Sequence, residues 1–142
     1  MLRILAAATI VLGLTEAAAA QQPAFQPGQK WTVKDSPMTI VIGTVEPFAK
    51  DKTAVSVSVF GVPCPPDAGC SATDVAHAPF DGEVLAQSVD KLVDSHAATA
   101  AQYENGYANW KQAKGGIFTI PVRDLPKLLF RTLTDGKASQ GP

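Results

Sequence analysis

The chain has 142 residues, 46% of them hydrophobic and 18% charged, with 12 Lys and Arg against 13 Asp and Glu and a formal net charge of −1. That length and composition fit one globular domain. No cluster of basic residues is present to neutralise phosphates or an anionic lipid surface, which argues against nucleic-acid binding and polybasic membrane attachment.

Met1-Leu2-Arg3 is a short basic start, Ile4 to Leu14 is an apolar run, and Ala18-Ala19-Ala20 precede polar Gln21. This layout predicts a signal peptide over residues 1–20, cleaved after Ala20, and a periplasmic or secreted protein. The apolar run ends before Glu16 and falls short of the roughly 20 residues a spanning helix needs, so no membrane span is expected after cleavage. Export bears on the two cysteines, Cys64 and Cys70. In an oxidising compartment they are expected to pair. The small ring through Pro65, Pro66, Asp67, Ala68 and Gly69 would restrict the unfolded chain by about 2 kcal/mol.

Residues 21–37 contain three prolines and read as an extended N-terminal segment, with Trp31 tucked against the domain. A single domain is expected over 38–132. Met38 to Val45 is β-branched almost throughout and apolar on both faces, the pattern of a central strand, and Glu46-Pro47 stops it. In Thr53 to Val62, Val55, Val57 and Val59 alternate with Ala54, Ser56 and Ser58. This predicts a second strand with one buried and one more exposed face, joined to the first as an antiparallel hairpin.

Gly61 to Phe80 reads as a loop. Asp81 is a good N-cap, with Glu83 in the first turn and Phe80 and Leu85 spaced as a staple. Val84, Leu85, Val89, Leu92 and Val93 continue at helical spacing, so the first helix is expected to run to Ser95-His96. A second helix is expected from about Ala97 to Lys114, ended by Gly115-Gly116, with Ala100, Tyr103, Tyr107 and Trp110 as its stripe. Gly106 inside it points to close packing against a neighbour. Ile117 to Val122 reads as a third strand cut by Pro121, and Asp124 caps a short helix through Phe130. From Thr134 onward there is no strong apolar content, and residues 133–142 are expected to be disordered. The order β-β-α-α-β-α describes an α+β domain, a small and mainly antiparallel sheet with helices on one face.

The segments His77 to Leu85 (H-A-P-F-D-G-E-V-L), Gly106 to Lys111 (G-Y-A-N-W-K) and Gly115 to Val122 (G-G-I-F-T-I-P-V) together resemble a family of small uncharacterised bacterial proteins. The resemblance spans residues 38–125. It brings no activity and so implies no functional residue, and the cysteine ring is not part of the shared pattern.

Candidate sites follow from the residues alone. His77, with Asp74 before it and Asp81 after it, could be a metal ligand or an acid–base group, and His96 a distant second ligand. The plainer reading has His77 bonding backbone where the loop meets the helix. Cys64 does not suit a nucleophile when a second cysteine stands ready to pair with it. No nucleophile-elbow serine, C-x-x-C motif or glycine-rich phosphate loop occurs. Tyr103, Tyr107 and Trp110 are either core or a binding surface. The sum is an exported, non-enzymatic domain without cofactor, binding a protein partner or small ligand in the cell envelope as an inhibitor, immunity-type or accessory protein. The competing reading is a periplasmic enzyme or metal-binding protein built on His77 and its carboxylates.

Overall fold

The computed structural model describes residues 23–138, with side chains described as far as Arg131. The signal-peptide reading of 1–20 therefore lies outside the described residues. Five strands form one antiparallel sheet: β1 (Lys30–Val33), β2 (Thr39–Pro47), β3 (Thr53–Pro63), β4 (Ala72–Asp81) and β5 (Val89–Asp94), in the spatial order β4-β3-β2-β1-β5. Three helices accompany it, α1 (Gly82–Ser88), α2 (Tyr103–Gln112) and α3 (Leu125–Ala138). The α+β class is as the sequence suggests. Its element order is not, since the chain runs β-β-β-β-α-β-α-α rather than β-β-α-α-β-α.

The central hairpin follows directly from the valine-rich pattern. β2 and β3 pair from Thr39↔Phe60 to Pro47↔Thr53, across a turn in which Phe48 N donates to Lys52 O at 3.0 Å. Ile40, Ile42, Val55, Val57 and Val59 share one face with Ala78 and Phe80 of β4. Leu85 of α1, Val122 of a single 3-10 turn (Val122–Asp124), and Leu125 and Leu129 of α3 cover that face. Full burial of each such side chain is worth about 1.5–3 kcal/mol, so this layer carries most of the folding energy.

Three assignments change. The presumed lead-in contains β1, which bridges β2 and β5 with Trp31 opposite Ile40 on one side and Leu92 on the other. The expected long first helix stops at Ser88, and Val89–Asp94 leaves it as edge strand β5. Its apolar residues Val89, Leu92 and Val93 suit either period, and pairing with β1 decides between them. Asp90, Lys91 and Asp94 blunt the outer edge. The second half of the presumed loop, Ala72–Asp81, is β4.

The ends of the later elements also move. α2 begins at Tyr103 rather than Ala97, leaving Ala100 ahead of it. The expected third strand at Ile117 to Val122 reduces to one parallel bridge, Phe80↔Phe118, on the outer side of β4. That bridge accommodates Pro79, whose carbonyl accepts from Phe118 N while Phe118 O accepts from Asp81 N. α3 continues to Ala138, past the point where order was expected to end, and residues 139–142 lie outside the described residues. Finally, the helices do not share one face: α2 packs on the side of the sheet opposite α1 and α3.

Cys64 and Cys70 are disulfide-bonded, with Cα atoms 5.8 Å apart, and close the tip of the β3–β4 hairpin. Cys64 N donates to Ser71 O at 3.1 Å beside the bridge. No helix among the described residues is long and apolar enough to cross a membrane.

Candidate functional site

The face under α2 is polar where its opposite is dry. Ser56 and Ser58 lie on β3 between the core valines and point toward α2. Both are completely buried, so the alternation does not leave this side exposed as the sequence implied. Two β-bulges bring further residues to it. The β2–β3 register shifts between Ile42 and Thr44, which puts Thr44 opposite Ser56 and Glu46 opposite Ala54. The β3–β4 register shifts between Val57 and Val59, where Ala76 and His77 together oppose Ser58. Bulges re-aim side chains in this way, one residue of insertion exchanging the faces.

His77 Nε2 and Ser56 Oγ are hydrogen-bonded at 3.0 Å. Tyr103 of α2 shares a 2.7 Å hydrogen bond with Thr44 Oγ1 and also interacts with Ser56, so Thr44, Tyr103, Ser56 and His77 form one partly buried cluster. Ser58 Oγ donates to Ala76 O at 2.7 Å and accepts from Ala100 N at 2.9 Å. Further along α2, Tyr107 donates to Glu46 Oε2 at 2.6 Å and Lys111 Nζ donates to Glu46 Oε1 at 3.2 Å. No buried side-chain nitrogen or oxygen among the described residues lacks a partner.

The aromatic stripe of α2 folds around the histidine. Ring centroids of Tyr103, Tyr107 and Trp110 lie 5.5, 5.8 and 5.6 Å from that of His77. Two glycines permit this approach. A Cβ at Gly106 would stand 2.7 Å from His77 Cβ, and one at Gly43 would overlap the Tyr103 ring. The internal glycine of the helix thus marks a close approach, as its cost in a helix implied.

These contacts set the titration of the site. The hydrogen bond from Tyr107 holds the Glu46 carboxyl below its ordinary range, helped by Lys111, and the same bond pushes the Tyr107 phenol up to about 12. Burial lowers His77, opposed by the charge of Glu46, and burial raises Tyr103. At neutral pH the site holds a neutral imidazole, two neutral phenols and a carboxylate neutralised by Lys111.

The carboxylates proposed around His77 do other work. Asp74 Oδ1 accepts from Gly61 N at 3.0 Å, tying β4 to the hairpin. Asp81 caps α1 through Glu83 N at 2.9 Å and pairs with Lys52 at 3.3 Å. His96 is exposed beyond β5, where its backbone N–H donates to Asp94. His77 itself bonds the Ser56 side chain within a strand, not backbone at a helix junction. No group of three or more His, Cys, Asp or Glu among the described residues could hold a metal ion. Ser56, in reach of a base, is sealed from solvent and cannot meet a substrate.

What faces outward is the far end of α2. Trp110 donates its indole N–H to Gly116 O at 2.8 Å, and a Cβ at Gly115 would strike its ring. Phe48, in the β2–β3 turn, is 41% exposed and lies nearly parallel to Trp110, with centroids 6.2 Å apart and planes 21° apart. Glu46, Pro47, Phe48, Trp110, Lys111, Lys114 and Gly115 line an open groove of about 190 Å³ there. Glu46 and Phe48 carry no sequence signal beyond the end of a strand. Only Gly43, a glycine within a β-branched run, hints at the bulge that sends Glu46 to this face.

No family model, curated protein or solved structure matches the chain.

Proposed function

We propose that the protein is a non-enzymatic binding domain of the cell envelope and that it takes its partner at the groove between Phe48 and Trp110. The observation that carries this reading is a division of labour within one polar face. His77 Nε2 bonds Ser56 and Tyr103 bonds Thr44 within the face, whereas Phe48 and Trp110 are partly exposed beside it and line a groove. A partly exposed aromatic pair on a hairpin and helix is the sort of anchor that recognition surfaces use. An inhibitor, immunity-type or accessory role fits a surface without exposed catalytic groups. Export rests on the residue 1–20 pattern and agrees with the closed Cys64–Cys70 ring.

Affinity capture from an envelope extract tests the reading, comparing wild type with a Phe48→Asp, Lys114→Glu double variant. We expect a species retained by wild type and lost with the variant while the Cys64→Ser, Cys70→Ser protein still retains it. Equal retention by the groove variant would refute the assignment.

A further inference from the structure

The groove has a definite chemistry. Two near-parallel aromatic rings form its apolar part. Its charged lining is Glu46, Lys111 and Lys114. Glu46 has both oxygens engaged, one by Tyr107 and one by Lys111. Lys111 is therefore compensated, and its ammonium also lies 5.9 Å from the Trp110 ring centroid. Lys114 lines the same groove just past the last turn of α2 and makes no ion pair among the described residues. It is held there by a backbone with φ of 51° and an N–H that donates to Lys111 O at 3.2 Å. The groove thus presents flat apolar walls and one uncompensated positive charge.

From this we infer that the groove binds small planar aromatic carboxylates, the ring lying against Phe48 and Trp110 and the carboxylate meeting Lys114. Flatness is required because the walls are rings, against which a planar π-system gains stacking that a puckered ring does not. A negative charge is favoured because Lys114 makes no ion pair among the described residues, while the charge of Glu46 is already met by Lys111. A neutral or cationic aromatic would leave Lys114 unpaired or repel it. The open groove, about 190 Å³, is smaller than most ligand pockets, which limits its occupant to one or two fused rings. This inference rests on the groove being the recognition surface, and names the class of small molecule it takes.

Amide NMR titration of the folded chain tests it, using 2-naphthoate against two controls, neutral 2-naphthalenemethanol and non-planar cyclohexanecarboxylate. Saturable shifts at Phe48, Gly115 and the Trp110 indole N–H are expected with 2-naphthoate alone. Phe48→Ala should weaken binding about tenfold, from lost stacking, and Lys114→Gln roughly threefold, from a lost exposed ion pair. Both positions are exposed, so these variants remain folded, and their unperturbed spectra elsewhere would establish it. Absence of saturation, equal binding of either control, or unchanged affinity in both variants overturns the inference. If 2-naphthoate fails while Phe48→Asp, Lys114→Glu still abolishes capture from the extract, the groove stands as a recognition surface and only its ligand class falls.

Discussion

The two faces of this sheet hold a helix by opposite means. On one, Phe80, Leu85, Val122 and Leu125 pack against Ile and Val side chains, and burial is the main hold on α1 and α3, beside the Asp81 cap and a Ser88 Oγ that accepts from Val122 N. On the other, α2 is docked through hydroxyls, an imidazole and a carboxylate, each bonded to a named partner, with aromatic rings filling the space between. A dry layer tolerates any arrangement that fills its volume, but a buried polar layer is satisfied by few geometries. The polar face therefore fixes where α2 sits, and with it the position of Trp110 over the groove. The dry face supplies the stability that lets it do so.

The sharpest way to break the comparison is to damage the dry face. Phe80 is fully buried, and Phe80→Ala should cost about 3–5 kcal/mol in urea unfolding, from lost transfer energy and a residual cavity. Truncations of equal size on the polar face should cost less, because α2 borders solvent along its length.

Gly106→Ala inverts a rule. In an ordinary helix the change would stabilise by about 1 kcal/mol, but here the new methyl would meet His77 Cβ at 2.7 Å. Neither atom is the end of a flexible chain. We expect destabilisation by about 1–3 kcal/mol through overpacking, and relief of that penalty in a His77→Gly background. An additive double variant would show that α2 is not seated as closely as the polar face implies.

These contrasts also explain what could be read from the residues alone. The β2–β3 hairpin was legible because Val55, Val57 and Val59 alternate and a polar turn precedes them. The Asp81 cap was legible because its chemistry is local. β4 was not, since its residues Ala72 to Asp81 mix Asp, Thr, His and Pro, and only pairing with β3 makes them a strand. β5 was not, because Val89, Leu92 and Val93 continue the stripe of Leu85 and only β1 pulls them out of the helix. The stripe Tyr103, Tyr107 and Trp110 was recognised, but as a choice between core and surface. It is both, buried at Tyr103 and partly exposed at Tyr107 and Trp110, a difference along one helix that periodicity does not encode. Glu46 escaped because a bulge at Gly43 exchanges the faces of β2 and leaves no residue pattern of its own.

The pH dependence of stability separates the groups on the polar face. Glu46 titrates below its ordinary 4.5 in the fold, so its contribution is complete above 4.5 and is lost as pH falls through the lower folded value. Tyr107 is raised from 10.0 to about 12, so its contribution is complete below 10 and disappears as pH rises toward 12. His77 is lowered from 6.5 by burial, so the unfolded chain takes up the proton first and stability declines as pH drops below 6.5. Tyr107→Phe removes one hydrogen bond to a carboxylate and should cost about 1 kcal/mol at neutral pH. Urea midpoints across the pH range should then show flatter alkaline and acid wings, with the His77 decline unchanged. A variant with the wild-type alkaline wing would mean the Tyr107–Glu46 bond is not formed in solution.

The smallest expected effect on stability belongs to the residue with the largest expected effect on recognition. Phe48 is 41% exposed and packs on Trp110 from a turn, outside the core cluster. Phe48→Ala should shift stability by about 0.5 kcal/mol or less, as surface changes do. Packing therefore gives little reason for an aromatic ring at this position, whereas a ligand stacked in the groove would. If urea unfolding instead gives a loss near that of a core truncation, Phe48 is a buttress for Trp110 and the groove is a gap between structural parts. A negligible loss in stability together with lost binding would place recognition at the open end of α2, with the hydrogen-bonded network behind it acting as the mount.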